Sequence, residues 1–254
     1  MSSREPLLPN KPAPPLLRRS QGLLTRAAAL NSASAEVDRT FADRSSSPEA
    51  YRAWHEAAAE FHAAREEMYP ESFWRDTRAL AASETKAIEP ALEFLESDPW
   101  CFRSGYVKAE LMRYLSRVPL IDRQQERTQR ILLHLVEVGD RREFGYACRL
   151  ARALDSAGLH ADLKRLLTSS NRSTRRRALQ MIVSLPELPL DSQERQAAIE
   201  LVTEEGRIQW RALAHDADGP GDVPGTWNIH RQNWVRRVAG PLGLDPYSFA
   251  DPES

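Results

Sequence analysis

The sequence predicts an all-α protein, and three observations carry that reading. From Ser47 onward, apolar residues recur at three- and four-residue steps. No stretch alternates apolar and polar residues between hairpin turns, so no strand is expected. Along the middle of the chain a helix–turn–helix pattern returns after 31 residues.

Residues 1–47 read as a disordered arm. Pro6, Pro9, Pro12, Pro14 and Pro15 crowd its start and serines crowd its end, so it offers little apolar surface to offset ordering entropy. Within it, "LLRRSQGLLTRAAAL" (16–30) has the makings of a short amphipathic helix that docks on a partner. Arg26 breaks the continuous apolar core that an export signal needs.

Ser47-Pro48-Glu49 is a helix start: a capping hydroxyl, a proline in the first turn and an acid at the positive helix end. Tyr51, Trp54, Ala58, Phe61 and Met68 then share one face. A second stretch begins at Glu71 with Phe73, Trp74, Thr77 and Ala81, giving a helical hairpin over 48–82. Pro90 can open the next helix, with Ala91, Leu92 and Leu95, and "SDPW" (97–100) is a turn.

The repeat lies downstream. Leu132, Leu135 and Val136 precede a polar turn at Gly139-Asp140-Arg141, and Ala147, Cys148, Ala151 and Leu154 follow it. At an offset of 31 residues, Leu163, Leu166 and Leu167 precede the turn Asn171-Arg172, and Ala178, Leu179, Ile182 and Leu185 follow. A looser upstream copy runs from Leu95 to Leu111, Met112 and Leu115, with an irregular insert near 117–126. One helix pair cannot cover its own apolar stripe, so neighbouring pairs must cover it for one another.

In helix-pair period and apolar landmarks, residues 85–215 resemble the HEAT/armadillo superfamily of helical repeats. That resemblance implies a HEAT-like α-solenoid, a right-handed stack of helix pairs, with repeats over 83–215 inside a helical domain at 48–215. Asp140-Arg141 and Asn171-Arg172 match the turns of that superfamily only in part.

Asp191 caps a further helix through Ala198, Leu201 and Val202, with an interruption expected at Gly206 before Ile208, Trp210 and Leu213. Residues 216–254 are expected to be a glycine- and proline-rich loop (216–226), a short helix (228–240) and an apolar tail. Leu242, Leu244, Tyr247 and Phe249 would pack on the body, and Trp210, Trp227 and Trp234 would cap its end.

The chain has 35 basic and 36 acidic residues and a net charge of −1, but the signs are segregated. Residues 99–180 hold 17 basic and 8 acidic groups, a net +9, between flanks at −7 (48–98) and −6 (181–254). Lysine occurs only four times, and this arginine bias with abundant alanine points to a GC-rich bacterial genome. Cys101 and Cys148 form no disulfide framework, which fits a reducing, cytoplasmic setting. No apolar run reaches the ~20 residues of a membrane-spanning helix, so no membrane partner is expected.

The candidate site is a basic ladder. On the second helix of each pair, Arg113 and Arg117, then Arg142, Arg149 and Arg152, then Arg176 and Arg177 fall away from the apolar side. Stacked pairs would align these arginines into one surface, which Glu110, Glu137, Asp140, Glu143 and Asp155 would partly neutralise. The expected function is a non-enzymatic interaction scaffold that binds an acidic protein segment. The alternative is a nucleic-acid-binding or DNA-base-processing helical repeat protein, since some alkylpurine DNA glycosylases use HEAT-like repeats. Base handling usually needs stacking aromatics, however, and between 107 and 209 only Tyr114, Phe144 and Tyr146 occur.

No nucleophile motif or phosphate-cradling glycine loop is present, and no cofactor or metal is implied. His55 and His62 stand seven apart, where a helical metal pair wants three or four. Asp216, Asp218 and Asp222 faintly suggest a calcium loop, but its twelfth position is Trp227.

Overall fold

The computed structural model describes residues 15–139, 141–217 and 234–245, with side chains over 21–139, 141–208 and 234–245. The fold is all-α, with no strand among the described residues. None of the described helices is long and apolar enough to cross a membrane. The chain divides into two compact units, Met1–Leu111 and Met112–Ser254, and the division falls within helix α5.

In the first unit, α1 (Pro15–Phe41) and α2 (Pro48–Met68) form a hairpin. The disordered arm expected over 1–47 is therefore corrected for residues 15–47, while residues 1–14 lie outside the described residues. The cause is legible in hindsight. Leu23, Ala27 and Leu30 follow one another at helical steps and are buried, whereas Arg26 points outward. α1 packs on both α2 and α4 (Ile88–Ser97). The serine-rich end makes the turn to α2, where Ser47 Oγ accepts a hydrogen bond from the Ala50 amide at 3.1 Å.

α3 (Glu71–Ala81) follows Pro70, and a 3-10 turn (Thr85–Ala87) leads into α4. Phe73 of α3 packs on Phe94 of α4 at 5.1 Å between ring centres. Asp98 ends α4 in the left-handed region at φ +44°. The loop runs through Arg103 (φ +62°) into α5 (Ser104–Leu115). Lys108 of α5, only 1% exposed, binds Asp98 Oδ1 at 2.5 Å, and Asn31 of α1 donates to the Trp100 carbonyl at 2.7 Å. Both non-glycine turns are thus held by side chains from regular elements.

The second unit contains α6 (Asp122–Val138), α7 (Phe144–Leu154), α8 (Ala157–Leu167), α9 (Arg172–Ile182) and α10 (Ser192–Ala217). Most of the landmarks of the 31-residue offset are buried: Leu132, Leu135, Val136, Ala147, Cys148 and Ala151 are, as are Leu163, Ala178, Leu179, Ile182 and Leu185. Leu154, Leu166 and Leu167 are only partly buried. α6 packs on α7 and α8 on α9, and the two pairs meet through α6–α8, α7–α9 and α6–α9 contacts. Gly139 closes α6 at φ +136°, a conformation that residues with a Cβ rarely adopt.

α10 opens with reciprocal bonds. Asp191 Oδ1 accepts from the Glu194 amide at 2.8 Å, and Glu194 Oε2 accepts from the Asp191 amide at 2.9 Å. The helix then runs unbroken through Gly206, which corrects the expected interruption. One glycine costs a helix about 1 kcal/mol. Ala198, Leu201 and Val202 pack against Leu179 and against Trp234, Val235, Val238, Ala239 and Leu242 of the C-terminal segment, and that burial outweighs it. Residues 234–239 are helical, a 3-10 turn (Gly240–Leu242) follows, and Leu244 packs on the same cluster. The loop expected at 216–226 begins two residues inside α10. Residues 218–226, Trp227, Tyr247, Phe249 and the Trp210 side chain lie outside what is described.

Leu30 is 0% exposed. Leu30→Ala should therefore lower stability by about 2–5 kcal/mol in urea unfolding, whereas a free arm would leave the midpoint unchanged.

Candidate functional site

The arginines proposed as a ladder separate into two groups. Those of α9 point into the protein. Arg177 is 3% exposed, and it donates from Nε to the Val136 carbonyl at 2.7 Å and from Nη2 to the Glu137 carbonyl at 3.1 Å. Both carbonyls lie in the last turn of α6, where they have no helical partner and where the helix dipole favours a cation. Arg176 packs over the Trp234 ring at 4.9 Å, and its guanidinium lies 3.5 Å from Glu205. Trp234 in turn donates to the Arg176 carbonyl at 3.3 Å.

The other two arginines of α9, Arg172 and Arg175, are also paired within the fold. Arg172 reaches Glu205 at 2.6 Å and Glu204 at 3.2 Å, and Arg175 donates to the Ser169 carbonyl at 2.7 Å beyond the end of α8. Arg176 and Arg177 are therefore corrected from ligand-binding to structural roles. A wheel drawn for α9 alone does not contain the segment 234–242 and helix α10, which close over it.

Arg113 is half-buried against its neighbour, donating to Tyr114 Oη at 2.9 Å with its guanidinium 4.7 Å from that ring. Arg117, just past α5, is exposed. The α7 residues lie differently. Arg142 in the preceding turn, then Gly145, Arg149 and Arg152, are all exposed. The Arg149 guanidinium lies 5.1 Å from the Tyr146 ring centre. Among the described residues no carboxylate forms an ion pair with Arg149 or Arg152. The opposite side of α7 carries the buried Phe144, Ala147, Cys148 and Ala151. Burial raises the Cys148 thiol to about 12, so it is inert.

The first unit holds a cleft that the sequence reading did not single out. It encloses roughly 340 Å³ and is walled by Tyr69, Trp74, Phe102 and Tyr106. Arg65 and Glu66 of α2 and Arg103 and Glu110 near α5 add both signs of charge at its edges. Tyr69 Oη donates to the Phe102 carbonyl at 3.0 Å and touches Cys101 Sγ at 3.4 Å. Burial, then the contact with Cys101, pushes the Tyr69 hydroxyl well above its usual range, so it remains a donor. Phe61 meets Phe102 edge-on at 5.1 Å. Tyr69 and Phe102 are therefore held in place, while Phe102 (43%) and Tyr106 (54%) remain open to solvent. One signal was available: Trp100, Phe102 and Tyr106 fall within seven residues around a turn.

His55 and His62 are exposed on α2, beside Tyr51 and Phe61. No His, Cys, Asp or Glu group among the described residues is placed to hold a metal ion. Searches of protein-family models, curated proteins and solved structures find no match to this chain.

Two outcomes follow. Arg177→Ala strands two carbonyls and should cost about 3–5 kcal/mol in urea unfolding, whereas the exposed Arg149→Ala should stay within about 0.5 kcal/mol. The folded state keeps its Cys148 proton up to about pH 12, whereas an unfolded thiol loses it near 9. The stability contributed is therefore full below pH 9 and declines as pH rises from 9 towards 12. Unfolding at pH 7 and pH 10.5 should show that decline, and Cys148→Ala should lessen it.

Proposed function

We propose that this chain is a non-enzymatic, cytoplasmic interaction module of HEAT-like helical repeats, and that the outer face of α7 holds an acidic protein segment. The observation that carries the reading is the pair Arg149 and Arg152. Both are exposed on a helix whose other side is buried, and neither has a carboxylate partner among the described residues. A rigid helix presents them at a fixed spacing, and the guanidinium fork matches carboxylate geometry. The α6–α8 and α7–α9 contacts support a repeat stack as the frame, and two free thiols suit a reducing compartment. The surface is smaller than the three-helix ladder, because α9 spends its arginines internally.

Polyglutamate is the probe. The chain should bind it in a salt-sensitive way, and Arg149→Glu/Arg152→Glu should lower affinity at least about ten-fold with unchanged helicity. Binding that ignores the double substitution overturns the assignment. Tighter binding to duplex DNA than to polyglutamate, lost in the same variant, replaces it with the nucleic-acid reading.

A further inference from the structure

The cleft of the first unit and the sequence ahead of α1 fit one another chemically. Residues 6–15 contain three overlapping Pro-x-x-Pro spacings: Pro6 to Pro9, Pro9 to Pro12 and Pro12 to Pro15. Such sequences favour the polyproline II conformation, which loses little entropy when it binds, and aromatic-lined grooves are the surfaces that take them. Tyr69, Trp74, Phe102 and Tyr106 form a lining of that kind, in which Tyr69 and Phe102 are held by the bonds and ring contacts described above. Charge agrees as well. Lys11 and Glu5 can meet Glu66 and Arg65 or Arg103 at the rim.

The chain's own geometry brings the two together. A short turn joins α1 to α2, so the helices run antiparallel. The start of α1 at Pro15 therefore lies at the end of the hairpin where α2 finishes, and Arg65, Glu66 and Tyr69 of that end line the cleft. Fourteen residues precede Pro15. α1 outruns α2 by six residues, about 9 Å at ~1.5 Å per residue. Pro12 and Pro6 stand three and nine residues before Pro15, so in polyproline II the segment 6–12 covers about 9–28 Å from that point, enough to fold back to the end of α2.

We propose that residues 6–12 of this chain dock in its own aromatic cleft as a polyproline II segment. The contact is separate from the α7 face and stands or falls without it. Docking would cover Phe102 and Tyr106, and any external proline-rich ligand would have to displace it.

The test uses a fluorescein-labelled peptide of residues 4–14 and the full-length chain, read by anisotropy. The variant Pro9→Ala/Pro12→Ala, whose own segment competes poorly, should bind the peptide at least about ten-fold more tightly than the unaltered chain. Adding Tyr106→Ala, at an exposed ring, should remove at least about ten-fold of that affinity, and Glu66→Lys should weaken it in the same direction. No peptide binding to the proline variant overturns the proposal. So does equal affinity in the variant and unaltered chains, or indifference to both cleft substitutions. A mass that doubles with concentration in the unaltered chain but not in the proline variant overturns docking within one chain in favour of exchange between two copies.

Discussion

The guanidinium of Arg177 sits at the carboxyl end of α6, where the Val136 and Glu137 carbonyls have run out of helical donors. It comes from α9, so one side chain closes the end of one helix and fixes another against it. At 3% exposure it exchanges water for two carbonyls in a geometry that a hydrocarbon of similar size cannot reproduce. The positions of α7 and α8 depend on that junction, because α7 follows α6 through Gly139 and α8 leads into α9.

The same residue type performs opposite tasks on neighbouring helices. Basic side chains at the start of α9 oppose its dipole, an unfavourable arrangement for an isolated helix. It persists because Arg172 and Arg176 meet Glu205, itself 5% exposed, and Arg175 reaches the carbonyls beyond α8. On α7 the arginines begin after the first turn and face water over Tyr146. α9 carries four arginines and α7 two, yet it is the more basic helix whose arginines are covered, because of what lies on top of it.

Much of the fold was legible in sequence. Helix starts at Ser47 and Asp191 follow from capping chemistry, and the 31-residue offset located both pairs of the second unit. Two features were hidden for the same reason. α1 looked like an arm because its apolar residues are few, yet Leu23, Ala27 and Leu30 need only one stripe when α2 and α4 cover it. The α9 arginines looked exposed because the segment that buries them lies some sixty residues further on: Trp234 bonds Arg176 across 58 positions. Local periodicity reports which side of a helix is apolar, not whether its polar side is also covered. The cleft was missed because its rings come from four places, Tyr69 just past α2, Trp74 on α3, Phe102 in the loop before α5 and Tyr106 on α5, and only the last two are close in sequence.

The bond from Asn31 to the Trp100 carbonyl spans 69 positions. As the polypeptide leaves the ribosome, α1 emerges early and its partner surface on α4 and the following loop emerges late. The first helix therefore gains its full cover only once residue 100 is out.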